Sequence, residues 1–203
     1  MHRYQKNSLR GLLGALLLSI SALAPAAEFR DILVEREDGL YSMRSVVFFN
    51  VEPEYLYRVL TDFDLFKKFT SAIVESNNVE ADENGRPQFF ARMEGCVLVW
   101  CKSFVRNGYL ELNPIAEIIA ISDPARSDFE ISRERWQLIP EGDGTVMIYE
   151  FQMVPAFWVP PIIGPFYIKR ALSSGGVDAV DRIEALAIGK KNHQLALGKV
   201  SQE

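Results

Sequence analysis

Apolar residues recur along most of this chain with a period of two, and they take up a helical period in two places. The runs "FRDILVERE" and "LYSMRSVVFFN" are β-rich and are separated by Asp38-Gly39, a strong hairpin turn signal, so they predict two paired strands. "VEPEYLYRVLTDFDLFKKF" opens on Glu52-Pro53-Glu54. Proline at the first helical position with acids in the first turn predicts a helix start there. Tyr55, Val59 and Leu60 fall on one side of that helix, and Phe63, Phe66 and Phe69 continue the apolar face through a second short helix, with Asp62 placed to cap it.

From Ala72 onward the chain reads as strand after strand. "AIVESNNVEA", "QFFARMEGC", "CKSFVRNGYLEL", "IAEIIAIS", "FEISRERWQLIP" and "TVMIYEFQMVP" are divided by Gly-, Pro-, Asn- and Asp-rich turns. In the last run Met147, Tyr149, Phe151 and Met153 share one face while Glu150 and Gln152 share the other. Phe89, Ala91 and Met93 alternate in the same way with Arg92 and Glu94. Such strands have one dry and one wet face and pair antiparallel. A long helix is expected from about Pro165 to Ile188, stopped by Gly189 with Lys190 and Lys191 beside it, and the tail after Asn192 is polar. Mid-helix, Ser173, Ser174, Gly175 and Gly176 are anomalous, since each glycine there costs about 1 kcal/mol relative to alanine.

The N-terminus changes where this domain is expected to work. Arg3, Lys6 and Arg10 precede an uncharged run from Gly11 to Ala27 that ends in Ala24-Pro25-Ala26-Ala27. Its apolar centre is shorter than the ~20 residues of a membrane-spanning helix, and small residues stand at the cleavage position, so residues 1–27 read as a cleaved secretory signal peptide, with an uncleaved N-terminal anchor as the alternative. A periplasmic or secreted protein is expected, with residues 28–189 as one domain and 190–203 as a polar tail. Cleavage removes three of the 22 basic residues and none of the 27 acidic ones, which leaves a formal charge of −8. An acidic surface repels nucleic-acid phosphates and anionic lipid headgroups, so no nucleic-acid partner is expected and any membrane contact is expected to be apolar. Of the two histidines, His2 leaves with the signal and His193 lies in the tail, which strips the chain of the imidazole that a catalytic triad or a His-ligated zinc needs. Neither a metal nor a cofactor is implied.

The order strand, two short helices, six antiparallel strands, long C-terminal helix resembles the START-like or helix-grip superfamily (SRPBCC), which includes the polyketide cyclase/dehydrase and coenzyme Q-binding families. "VEPEYLYRVLTDFDLFKKF" looks like its opening helix pair, and "RERWQLIPEGDGTVMIYEF" resembles its "W-x-L-x-P … G-T" strand pair; the likeness runs over about residues 40–188. It implies an α+β helix-grip fold in an exported bacterial member: a curved antiparallel sheet wrapped around the long C-terminal helix, with two short helices after the first core strand. Where sheet and helix do not pack fully, a cavity is left between them. Its expected lining is Met93, Trp136, Leu138, Tyr149, Phe151 and Met153 from inward strand faces, with Leu172, Gly175 and Gly176 from the helix. Each of these residues has ordinary core packing as its alternative.

In this layout Cys96 ends one strand and Cys101 begins its antiparallel neighbour, so the two are opposed and an oxidising compartment would join them. The loop between them, Val97, Leu98, Val99 and Trp100, is anomalously apolar for a hairpin tip. A second apolar loop, with Phe157, Trp158 and Ile162, leads into the long helix near the same mouth. Two alternatives stand: the loops cover each other, or they form a rim that admits a greasy ligand or makes apolar contact with a membrane or an envelope protein. Three functions follow. The first is binding of a lipid, quinone or other hydrophobic small molecule. The second is an enzyme like the aromatase/cyclases, with Arg106, Tyr109, Arg133, Arg135 or Tyr149 as its polar groups. The third is an interaction module of the cell envelope. Arginine stays protonated and tyrosine titrates near 10, so neither supplies a ready base. Asp62, Asp64, Glu94 and Glu150 read as cap or surface groups, and the non-catalytic reading leads.

Overall fold

The computed structural model describes residues 27–97, 100–161 and 163–200. The expected signal segment, up to residue 26, lies outside them, as do Leu98, Val99 and Ile162. Strands β1 (Glu28–Glu37) and β2 (Leu40–Phe49) form the first hairpin. Asp38 and Gly39 both take positive φ, 48° and 90°, as the twist-compatible two-residue turn requires. Helix α1 (Pro53–Leu60) and a 3-10 helix (Phe63–Lys68) follow. Then come β3 (Ile73–Val79), β4 (Gln88–Val97), β5 (Trp100–Asn113), β6 (Glu117–Ser122), β7 (Phe129–Glu141) and β8 (Gly144–Pro155), before the long helix α2 (Gly164–Val200).

The eight strands make one antiparallel sheet in the order β1-β2-β8-β7-β6-β5-β4-β3. Strands β3 to β8 therefore run as a meander, and β2 docks on its last strand to place the N-terminal hairpin at one edge. Period two decides the faces. Tyr41, Met43, Ser45, Val47 and Phe49 of β2 are buried opposite Met153, Phe151, Tyr149, Met147 and Thr145 of β8, and Ser132, Glu134, Trp136 and Leu138 extend these rows onto β7. Gly108 lets the sheet bend between β5 and β6, because a Cβ there would collide with the Ile121 carbonyl oxygen and press on the Phe89 ring. Helix α2 lies against α1, β1 and β2. This is the α+β helix-grip architecture expected from the element order.

Three local expectations are corrected. On α1 the buried residue is Leu56, beside Val59 and Leu60, and Tyr55 is only half-buried. The Asp62 carboxylate does not cap the 3-10 helix; it accepts from Asn78 Nδ2 at 3.1 Å and pairs with Lys190 at 3.4 Å. Nor does α2 stop at Gly189, for it continues to Val200. The extension is tethered to the α1 region by Lys190–Asp62, by Lys191–Glu52 at 2.7 Å and by Arg58 Nη1 donating to Gln194 Oε1 at 2.7 Å. Tertiary partners outweigh the glycine's stop signal there.

Candidate functional site

Buried apolar side chains fall into two clusters along the concave face of the sheet. One joins Leu56, Val59, Leu60, Phe63, Phe66 and Phe69 to Trp136 and Leu138 under Val180, Ile183 and Ala187 of α2. The other is built from Tyr41, Met43, Phe129, Phe151 and Met153, with Met93, Phe104, Phe157, Ile168 and Leu172 half-buried against it. Tyr149 packs on both clusters. A single-domain core is usually one contiguous cluster, so what separates these two is informative.

Between them lies a buried polar group. Arg106 of β5 and Glu134 of β7 are 4% and 8% exposed and form an ion pair, with Nη1 donating to Oε1 at 2.8 Å. Arg106 Nε donates to Ser122 Oγ at 3.2 Å, and the Tyr149 hydroxyl donates to the same Glu134 Oε1 at 3.2 Å. The guanidinium stands near the Phe89 and Phe151 rings, 5.5 and 5.8 Å from their centroids. Burial, reinforced by the Glu134 charge, pushes the Tyr149 phenol well above its ordinary value of 10.0. It therefore stays protonated and serves as a hydrogen-bond donor.

The cluster is incompletely satisfied. Arg106 Nη2, Glu134 Oε2, Tyr41 Oη and Ser132 Oγ are buried without a hydrogen-bond partner among the described residues. A buried unpaired polar group costs about 1–3 kcal/mol, and these four share one face of the sheet. Register places them together. Tyr41 and Ser132 flank Met153 in one cross-strand row, and Glu134 sits in the adjacent row beside Phe151.

Of the residues expected to line a pocket, Phe151, Met153, Met93 and Leu172 meet in the second cluster, Trp136 and Leu138 belong to the first, and Tyr149 bridges them. Gly175 lies within α2, and Gly176 faces β1, where an added Cβ would rest 3.6 Å from Phe29 Cζ. Ser173 and Ser174 are exposed and donate to the carbonyls of Lys169 and Arg170 at 2.9 and 2.8 Å. Among the expected rim residues, Cys96 and Cys101 form a disulfide with their Cα atoms 3.9 Å apart, and Val97 and Trp100 are the last paired residues of the hairpin. Leu98, Val99 and Ile162 lie outside the described residues. Phe157 stacks on Phe104 with centroids 4.5 Å apart and meets Phe129 edge-on, so the loop into α2 rests on the base of the disulfide hairpin. Trp158 points away from this contact and is 79% exposed.

The other polar candidates separate from the interior. Arg135 pairs with Glu117 and Glu150 on the outer face, and Arg133 and Glu150 line a shallow outer groove of about 260 Å³. Tyr109 lies under the Arg86 guanidinium, 3.8 Å from its ring centroid, in a second outer groove of about 310 Å³. That groove's carboxylates are settled, since Arg86 and Arg126 hold Asp82 and Asp123 below their ordinary range. Asp64 accepts from Asn78, and Glu94 is exposed. Glu134 and Ser132 were not singled out from sequence. Strand parity was the available signal, because both share the period-two face of Trp136 and Leu138.

No family model matches the chain, and no curated protein matches it either. Solved structures do. A START superfamily protein from Mycobacterium smegmatis aligns with a TM-score of 0.57 at 17% identity, over 73% of this chain and 97% of that one. A STAR-related lipid transfer protein from Xanthomonas axonopodis aligns with a TM-score of 0.57 at 14% identity, over 80% and 99%. A Streptomyces aromatase/cyclase aligns with a TM-score of 0.57 at 11% identity, over 73% and 93%. The chain has the START-like helix-grip fold.

Proposed function

We propose that this protein is an exported, non-catalytic carrier of a hydrophobic small molecule, held between the sheet and the N-terminal half of α2. Met93, Phe151, Met153 and Leu172 contribute apolar wall, and the Arg106–Glu134–Tyr149 group receives the guest's polar end. The observation that carries this reading is the set of orphaned buried polar atoms on one face of the sheet. Their chemistry narrows the guest. Arg106 Nη2 offers N–H and Glu134 Oε2 offers lone pairs, within a pair of zero net charge. A head group that both accepts and donates, such as the hydroxyl of a neutral lipid or a quinol, satisfies both. A carboxylate or phosphate would meet the Glu134 charge in a low-dielectric site. A lipid transfer protein among the structural neighbours supports a greasy guest. The signal pattern of residues 1–27 and the disulfide support an oxidising compartment outside the cytoplasm.

The test compares uptake of a pyrene-labelled decanol with that of decylpyrene, which lacks the hydroxyl. The native protein should prefer the alcohol by about tenfold or more. Arg106→Met with Glu134→Leu removes both charges together, a change that is often neutral for stability, and should abolish the preference while the protein stays folded. Equal uptake of both probes by the native protein would refute the reading. A second reading, proton-transfer catalysis in the same interior, is favoured by Glu134 alone, a buried carboxylate beside a phenol. Turnover of a polyketide-like substrate, lost in Glu134→Gln, would establish it.

A further inference from the structure

The edge of the molecule around the start of α2 carries the two most exposed large apolar side chains among the described residues. Trp158 is 79% exposed and Phe166 64% exposed, and Ile163 is exposed between them. A tight turn holds all three together: Gly164 N donates to Pro160 O at 2.9 Å, and Gly164 packs so closely on Val159 that any Cβ would collide with it. Phe157 anchors this turn to the disulfide hairpin through Phe104. Large aromatics left in water on a rigid turn forgo substantial burial, so something is expected to cover them.

Charge says what covers them. The mature chain is acidic, yet residues 151–177 contain no Asp or Glu and carry Lys169 and Arg170, and residues 95–110 contain no Asp or Glu and carry Lys102 and Arg106. Arg106 is buried, while Lys102, Lys169 and Arg170 are exposed and make no ion pair among the described residues. Lys102 Nζ sits 4.3 Å from the Phe157 ring centroid, its charge at the same edge as the aromatic turn. Cations flanking exposed Trp, Phe and Ile, on a protein whose remaining charge is negative, complement an anionic lipid surface. The rings enter the headgroup boundary and the cations meet the phosphates.

We infer that Trp158, Ile163 and Phe166, flanked by Lys102, Lys169 and Arg170, dock this protein on an anionic bilayer surface. Contact is peripheral, and among the described residues no helix is long and apolar enough to cross a membrane.

The experiment is co-sedimentation of the mature chain with vesicles of phosphatidylcholine alone or with about one-third phosphatidylglycerol. The native protein should bind the anionic vesicles about tenfold more tightly, and its tryptophan emission should shift to the blue. Trp158→Ser with Phe166→Ser should weaken binding to both vesicles by about tenfold or more, leaving far-UV circular dichroism and uptake of the pyrene probes unchanged. Lys169→Gln with Arg170→Gln should abolish the preference for anionic lipid while leaving the weaker apolar contact. A native protein blind to both vesicles, or variants that bind as the native does, would overturn the inference. So would a dimer in solution that dissociates on Trp158→Ser with Phe166→Ser, which would assign the surface to a second copy of this chain.

Discussion

The two ends of the concave face are built from different materials. At the end covered by α1, the 3-10 helix and the C-terminal half of α2, the side chains are mostly branched or aromatic, with Met147 among them, and almost fully excluded from water. Phe63 stacks on Phe66 and Phe89 with centroids 3.9 and 4.3 Å apart. At the end covered by the start of α2, three of the chain's five methionines, Met43, Met93 and Met153, stand among half-buried neighbours over a polar floor that is incompletely bonded. Unbranched thioether side chains repack readily, whereas stacked rings do not. One end holds the fold, and the other is the end proposed above to accommodate a guest.

The sharpest contrast comes from truncating each end in turn. Phe63→Ala should lose about 3–5 kcal/mol, because stacked, fully buried rings cannot close the cavity. Met153→Ala should lose only about 2 kcal/mol, because its neighbours can shift. Denaturant titration measures both, and equal losses would erase the distinction. Reduction of Cys96–Cys101 should lower stability by about 2 kcal/mol on loop-entropy grounds. Hydrogen exchange should rise in β4 and β5 near the hairpin while protection around Phe63 persists; uniform loss of protection would mean that the ends are not separable.

Smaller effects refine the boundary between the two ends. Gly176→Ala should stabilise the protein by about 1 kcal/mol, since the added methyl group makes ordinary contact with Phe29 and helix propensity improves. A loss of probe uptake in this variant would place Gly176 at the guest instead. The weakest effect concerns the far end of α2. The Lys191 ammonium holds the Glu52 carboxyl below its ordinary value of 4.5, so the pair stabilises above that pH and its contribution is lost as pH falls through the lowered folded value. Both side chains are only half-buried and screened by solvent, so Lys191→Ala should cost well under ~1 kcal/mol near neutrality. That difference should fade in acid titration monitored by circular dichroism.

Much of the scaffold was written in local patterns. Asp38-Gly39 specified a turn whose backbone needs positive φ, Pro53 after Glu52 specified a helix start, and the alternation in β2, β7 and β8 specified which side chains face inward. The disulfide followed once Cys96 and Cys101 were placed on opposed strands. The polar floor was less visible. Arg106 and Glu134 lie 28 residues apart, and each reads locally as one more charge on a half-wet strand. Parity puts Glu134 on the face of Trp136, but only the path of the meander brings a guanidinium across to it. The run of α2 past Gly189 was hidden for a similar reason, since its tethers to Asp62 and Glu52 are 128 and 139 residues away in sequence.

The account stands most directly on what the interior holds. Native mass spectrometry of the protein isolated from its native source should find one neutral, hydroxyl-bearing lipid or quinol bound per chain, absent from the Arg106→Met, Glu134→Leu variant isolated in the same way. A protein that emerges empty, or a guest retained in equal amount by that variant, would contradict it.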